Sequence, residues 1–334
     1  MSIYQEECVS MAHTYPGSSL VVGLGMAIAV LSADPAPAQQ YGPRIFWPAP
    51  AGVNAVTLQI LNTGANTTFN TDIVYPNLAI DSDAFVFGYT RNFELGNTSG
   101  QVSVSLPYAL ADIDAQAGQF ELNRNISGLA DAYLHLRVGI LGSPAADLQE
   151  YGTYLATQNL DVVMHGLVAV TSIPIGQYDA DRVVNIGSNR WGFRAALPTV
   201  INLGPNWAPG NRTTLELVPT VDLFTRNGSP AGQGLPGAAE VTAQDPLFKL
   251  EGHLTTDLGP KYFASLDAYY VTGGATSTNG VGNNNPMPWL GLGATLGGYL
   301  WPGGTLELTY GGVVAGNDNS PNGEQVRLWL LQAF

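Results

Sequence analysis

The residues able to do chemistry in this chain are few, and most of them recur at every second position. Lys249, Glu251, His253, Thr255 and Asp257 share one parity of a single segment, and His135 stands between Tyr133 and Arg137 at the same spacing. Arg194, Glu216, Asp222 and Asp267 occupy similar segments. Two kinds of chemistry use such a set. A histidine oriented by an acid toward a serine makes a hydrolase, whereas a wet pore is lined by charged and polar groups without any reaction. No nucleotide-binding glycine loop, His-Glu-x-x-His pair or paired-cysteine spacing occurs in the chain. No catalytic residue, metal ligand or cofactor is therefore assigned.

A second set of acids, Asp72, Asp81, Asp83, Asp112, Asp114, Asp179, Asp181, Asp318 and Glu324, falls between these segments. Oxygen ligands of this kind can hold a divalent cation. Without an Asp-x-Asp-x-Asp-Gly loop they read as a solvated acidic rim.

The elements that must position these groups are strands. In 248–258, Phe248, Leu250, Leu254 and Leu258 oppose the charged parity, and the division recurs in 130–141, 213–224 and 304–310. No helical period competes there. About twelve such segments are expected, near 54–61, 84–92, 101–109, 130–141, 160–173, 191–202, 213–225, 248–258, 262–271, 289–300, 304–314 and 325–334. The connections alternate in length. Those at 62–83, 110–129, 174–190, 226–247, 272–288 and 315–324 are long, while 93–100, 203–212, Gly259 to Lys261 and Trp301 to Gly303 are shorter, and 142–159 is the exception. Alternating segments with loops sorted by end describe an all-β, transmembrane, antiparallel up-and-down β-barrel with long extracellular loops and short periplasmic turns.

Composition agrees. Of 334 residues 45% are hydrophobic and only 11% charged, with 26 acids against 12 bases, where a soluble domain carries about 25% charge. A disordered chain would need more charge, and a nucleic-acid binder would need a basic face. Leu20 to Ala33 is the one sustained apolar run, and Ala36-Pro37-Ala38 follows it. This is a signal-peptide pattern over 1–38, although Glu6 and Glu7 replace the usual leading positive charge. Cleavage there removes Cys8, the only cysteine, and with it any disulfide. Residues 39–53, which hold Tyr41, Phe46, Trp47 and three prolines, could cap the periplasmic mouth or plug the pore, and 54–334 forms the barrel. Trp191, Trp207, Tyr262, Tyr269, Tyr270, Trp289, Tyr299 and Trp301 lie where interfacial girdles would place them.

The segment 174–191 carries the most specific pattern. It reads Pro174-Ile175-Gly176-Gln177-Tyr178-Asp179, then Asn185-Ile186-Gly187-Ser188-Asn189-Arg190-Trp191. With Leu106-Pro107-Tyr108, Gly128-Leu129-Ala130-Asp131, Gln244-Asp245-Pro246 and Tyr270 to Gly274, in that order, it resembles the bacterial outer-membrane barrels known as the putative meta-pathway of phenol degradation family. The terminal Phe334 on an alternating strand is similar to the signal that the barrel assembly machinery reads, with Gln332 departing from it.

The resemblance implies passage of small hydrophobic or aromatic compounds across the outer membrane, with membrane lipid as the surrounding partner. It supplies no catalytic residue. The lumen would be lined by Tyr133, His135, Arg137, Arg194, Glu216, Asp222, Lys249, Glu251, His253 and Asp267. The loop motif would supply Gly176, Gln177, Tyr178, Asp179, Asn185, Gly187, Asn189, Arg190 and Trp191, either as a gate or as a folded support. The alternatives are a structural or adhesive barrel with ligand-binding outer loops, a lumen hydrolase using His135 or His253, and a soluble β-sandwich.

Overall fold

Period-two alternation commits a segment to a sheet with two unlike faces. In a bilayer that sheet must close on itself, because a backbone N–H or C=O left unpaired in hydrocarbon costs several kcal/mol. The computed structural model describes residues 40–67, 73–74, 78–117, 120–157 and 160–334, with the side chains of 114–123 and 156 excepted. The expected signal peptide at 1–38 and Asp72 lie outside the described residues.

The elements are β1 (Asn54–Ala65), β2 (Leu78–Leu95), β3 (Thr98–Ala117), β4 (Phe120–Leu129), β5 (Ala132–Leu141), α1 (Leu148–Thr157) and β6 (Val162–Ile173). They continue with β7 (Gly192–Ala196), β8 (Thr199–Asn202), β9 (Thr213–Phe224), β10 (Thr242–Gln244), β11 (Leu247–Leu258) and β12 (Tyr262–Gly273). The last are β13 (Thr276–Thr278), β14 (Val281–Gly282), β15 (Trp289–Trp301), β16 (Gly304–Gly316) and β17 (Gly323–Ala333).

Among the described residues, each barrel strand pairs antiparallel with its neighbours in the order β1, β2, β3, β5, β6, β7 with β8, β9, β11, β12, β15, β16, β17. Pairing of β17 with β1, from Ala55 opposite Ala333 to Ala65 opposite Gly323, closes the ring. The result is a closed barrel of twelve strands, one of them in two pieces. Strands β7 and β8 both lie between β6 and β9. The expected single strand at 191–202 is broken at Leu197-Pro198, because proline has no N–H to give the ladder.

On β11 the even positions from Phe248 to Leu258 face outward, except the half-buried Gly252, while Lys249, Glu251, His253 and Thr255 are buried inside. Large apolar side chains such as Phe87, Leu106, Leu136, Leu254, Leu266 and Leu296 are exposed on the outer surface. A surface of that kind is suited to lipid.

Three features depart from the sequence expectation. Residues 110–129 are not an open loop: β3 runs on to Ala117 and pairs with β4 from Tyr108 opposite Leu129 to Ala117 opposite Phe120. Ile80, Ala111, Ile113 and Ile126 pack there with Val184 and Ile186 of the next outer connection, so a small apolar core sustains a sheet beyond the wall. The turn expected over 93–100 is only Gly96-Asn97, since Leu95 pairs with Thr98 and Gly96 adopts φ 61°. Of the expected girdle, Trp191, Tyr262, Tyr270 and Trp301 are exposed, but Trp207, Tyr269 and Trp289 are buried among interior side chains. The long inner connection at 142–159 contains α1.

Candidate functional site: the lumen and its outer rim

Strands β9 and β11 carry Glu216 and Glu251 into the barrel one register step apart, since Glu216 pairs with His253 and Glu251 with Val218. Two buried carboxylates this close need donors, and the segment Gln40–Trp47 supplies them from its backbone. Glu251 accepts the N–H groups of Gln40 (3.1 Å), Tyr41 (2.9 Å) and Gly42 (3.1 Å). Glu216 accepts the Arg44 N–H at 3.0 Å and the Trp47 indole N–H at 2.9 Å. Successive amides can converge on an anion only if the chain turns through left-handed conformations, and Gly42 and Arg44 have φ of 108° and 65°.

The carbonyls of the same segment are met by two guanidinium groups and a histidine of the remaining wall. Arg327 Nη1 donates to Tyr41 O at 2.9 Å, Arg137 Nη1 to Ile45 O at 2.6 Å, and His165 Nε2 to Phe46 O at 2.9 Å. Arg44 pairs with Asp257 at 2.7 Å and lies over the Phe263 ring. Tyr41 accepts from Arg194 at 3.0 Å. Burial raises the Tyr41 phenol above its ordinary value, against the lowering pull of that guanidinium. At the inner mouth, Tyr151 of α1 donates to Pro48 O, and burial likewise raises its phenol.

The structure gathers Arg137, Arg194, Glu216, Asp222, Lys249, Glu251, His253 and Asp267 on the inner surface, each nearly inaccessible, while Tyr133 and His135 are half-buried beside a cavity. Arg194 grips Asp222 with two bonds of 2.6 and 2.5 Å, and Lys249 reaches the same carboxylate at 2.6 Å. His253 lies between Asp267 (2.7 Å from Nδ1) and Glu251 (3.1 Å from Nε2). The nearby hydroxyl, Ser265, donates to Asp267 at 2.5 Å. A triad needs the serine on the histidine nitrogen remote from the acid, and a second acid stands there. Among the described residues no cluster of three His, Cys, Asp or Glu side chains could hold a metal. Sequence reasoning did not place Arg44, Glu307 or Arg327 among the lumen-lining residues, and it put Asp257 on the charged parity without assigning it to the lumen. Their signal was position on the charged parity, or, for Arg44, a basic residue inside an aromatic segment.

Beside the Gln40–Trp47 segment runs a cavity of about 800 Å³. One side is Tyr41, Phe46 and Trp47 with Phe263, Tyr269 and Tyr299; the other is Thr57, Gln59, Thr90, Gln101, Ser103 and Ser105 from β1, β2 and β3. Aromatic faces thus oppose a wall of neutral hydroxyls and amides.

At the outer rim, the separate sequence motifs touch one another. Pro107 O accepts the Ala130 N–H at 2.9 Å. Asp131 accepts Gly176 N–H at 3.0 Å, Ser188 N–H at 2.9 Å and the Ser172 hydroxyl at 2.6 Å. Gln177 N–H donates to Leu129 O and Gly187 N–H to Gln177 O. Asp179 N–H donates to the Asn185 side chain at 2.8 Å, and Tyr178 donates to Ser229 O at 2.8 Å. Asn189, at φ 52°, donates to Asn227, and Trp191 stacks on Phe193. Arg190 donates to Gln244 at 2.6 Å and lies over Phe224, while Gln244 donates to Gly274 O and Gly274 N–H to Pro246 O. Gly187 is needed because a Cβ there would stand 2.8 Å from a Gly176 backbone atom.

No curated protein matches the chain in sequence. In fold it is similar to the COG4313 outer membrane channel from Pseudomonas putida F1, with TM-score 0.69 and 14% identity over 88% of this chain and 100% of that one. It is also similar to the β domain of the Bordetella autotransporter BrkA, with TM-score 0.50 and 11% identity over 84% of this chain and 100% of that one. A closed barrel with an apolar outer belt places it in the bacterial outer membrane. The family model described as Putative MetA-pathway of phenol degradation matches residues 63–325, and the chain belongs to that family.

Proposed function

We propose that the protein is a passive channel for uptake of small hydrophobic or aromatic compounds across the outer membrane, and not an enzyme. The observation that carries this reading is the cavity of about 800 Å³ with aromatic faces on one side and neutral polar groups on the other. Most interior charges are already spent on one another or on the Gln40–Trp47 segment, so a solute in the cavity meets mainly rings, hydroxyls and amides. In this reading Tyr133 and His135 line the path, while the eight buried charged residues hold the wall and the segment 39–53 narrows the lumen. The rim motif from Gly176 to Trp191 holds the outer connections in place, and the exposed Phe334 is the feature offered to the assembly machinery.

The test uses cells, because the lipopolysaccharide leaflet is the barrier in question. Cells carrying the protein in their outer membrane should accumulate radiolabelled toluene and phenol faster than cells with an empty vector. Equal rates would overturn the proposal.

A further inference from the structure

The barrel wall is interrupted where β5, β6 and β7 meet. The β5–β6 ladder shifts register between Ala132 and Leu134 and again between Gly139 and Leu141, and the β6–β7 ladder shifts between Val170 and Ser172. Where β7 gives way to β8, Leu197 turns its N–H to Pro219 O on β9, and Pro198 has no N–H to give. Two successive residues therefore offer β6 no donor, close to Gly166, which brings no side chain to the wall.

A pocket of about 370 Å³ lies at the same place, bounded by Leu136 and Val138 of β5, Gly166 to Val168 of β6, and Ala195 and Ala196 of β7. Leu136 and Val168 are exposed on the lipid-facing surface, so the pocket belongs to the outer side of the wall. For scale, an apolar cavity of about 150 Å³ holds benzene. Leu167 lines this pocket and the lumen cavity alike, so its side chain stands between the two spaces. It is 4% exposed and pairs with Arg137 on one side and Ala196 on the other. On the lumen side Leu167 shares an apolar cluster with Phe46, Val163, Ala169 and Val200, and Ile45 packs against that cluster. The carbonyls of Ile45 and Phe46 are the ones held by Arg137 and His165.

Resting on the uptake reading above, we infer that this sector is a side portal through which small apolar solutes leave the lumen cavity for the hydrocarbon of the membrane. Leu167 is its shutter, and Ile45 and Phe46 are its inner cover. An apolar solute that leaves by the inner mouth must enter water, whereas one that leaves through the wall passes from one apolar surrounding to another. Rotation of a single leucine among Gly166, Ala169, Ala195 and Ala196 moves it between staggered positions with little hindrance from such small neighbours. The donors missing at Leu197 and Pro198 leave fewer ladder bonds to break when β7 and β8 part from β6, and in hydrocarbon each broken bond is costly. The same cost keeps charged solutes from the route, since it leads into lipid.

The test compares accumulation of radiolabelled toluene by cells carrying the full chain or a variant in their outer membrane, with heat-modifiable gel migration showing that each barrel has assembled. Gly166→Leu puts a side chain into the pocket, where an added Cβ meets only Ile140, at 3.5 Å. Ala195→Trp fills the same space from β7 and serves if the first variant fails to assemble. Both positions lie on the outer side of the wall, so neither narrows the lumen, and either substitution should lower toluene accumulation severalfold. Leu254→Trp, on the outward face of β11 and away from the pocket, should match the parent chain. Filled variants that assemble and accumulate toluene at the parent rate overturn the portal and leave the uptake reading standing. A parent chain no faster than an empty vector overturns both.

Discussion

The carboxylate of Glu251 accepts the peptide N–H of Gly42 at 3.1 Å across a separation of 209 residues. A wall residue is thereby fastened to the backbone of a segment that has no regular structure of its own. Because the acceptor is a side chain and the donors are amides, the attachment depends on the charge of Glu251 and on the left-handed turn that Gly42 allows the segment.

Weakening that acceptor should loosen the segment. Glu251→Gln keeps the shape but replaces charge-assisted bonds with neutral ones, a loss of about 1 kcal/mol or more per bond. In planar bilayers the variant should show an open population raised about fivefold or more. Gly42→Ala, which forces a side chain into the Arg327 guanidinium at a φ of 108°, should act in the same direction. Removal of 39–53 sets the upper limit of conductance, and unchanged conductance in all three would refute the role of the segment.

Asp131→Ala should destabilise the outer rim. It strips the acceptor from the Gly176 and Ser188 N–H groups and from the Ser172 hydroxyl. Orphaned buried donors make a cost of about 2–4 kcal/mol reasonable. The midpoint of heat-induced loss of fast gel migration should fall, with Asp131→Asn intermediate. A midpoint equal to that of the parent chain would show that the rim contacts carry no stability.

The two faces of β11 should respond oppositely to charge. Leu254 points outward near the middle of the strand, and arginine at the bilayer midplane costs about 2–4 kcal/mol. Leu254→Arg should therefore unfold at lower urea in lipid vesicles than the parent. Thr256→Arg, nearer the inner end, should lose less. Equal losses at both positions would argue against a lipid belt at this height.

Esterase turnover should be absent. With Ser265 bound to Asp267 and Glu251 on the second nitrogen of His253, no hydroxyl among the described residues is hydrogen-bonded to that histidine. Hydrolysis of a p-nitrophenyl ester by purified protein, abolished by His253→Ala or His135→Ala, would reverse that conclusion.

Much of the wall was legible because its cause is local. Lys249, Glu251 and His253 alternate with Phe248, Leu250 and Leu254, and a strand sends successive side chains to opposite faces whatever its neighbours are. The rim motifs were visible as separate runs, though nothing in the sequence showed that Pro107, Asp131, Gly187, Gln244 and Gly274 form one hydrogen-bonded belt. Residues 110–129 misled because Asp112 and Asp114 carry the charge of a loop. Ala111, Ile113 and Ile126 nevertheless pack against Val184 and Ile186, which belong to a later connection of the chain.

By itself the sequence determined which side of each strand meets lipid and which meets the lumen, and therefore why a chain with only 11% charged residues is not short of them. It also determined that the strands close, since an apolar outer face in a bilayer tolerates no free edge. Only the tertiary structure decided that Gln40–Trp47 lies among Glu216, Glu251, Arg137 and Arg327, and that Glu307, Arg327 and Trp329 share one cavity. The physical reason is range. Alternation is set between neighbours in sequence, whereas these contacts join the ends of the chain to its middle and exist only once the barrel has closed around them.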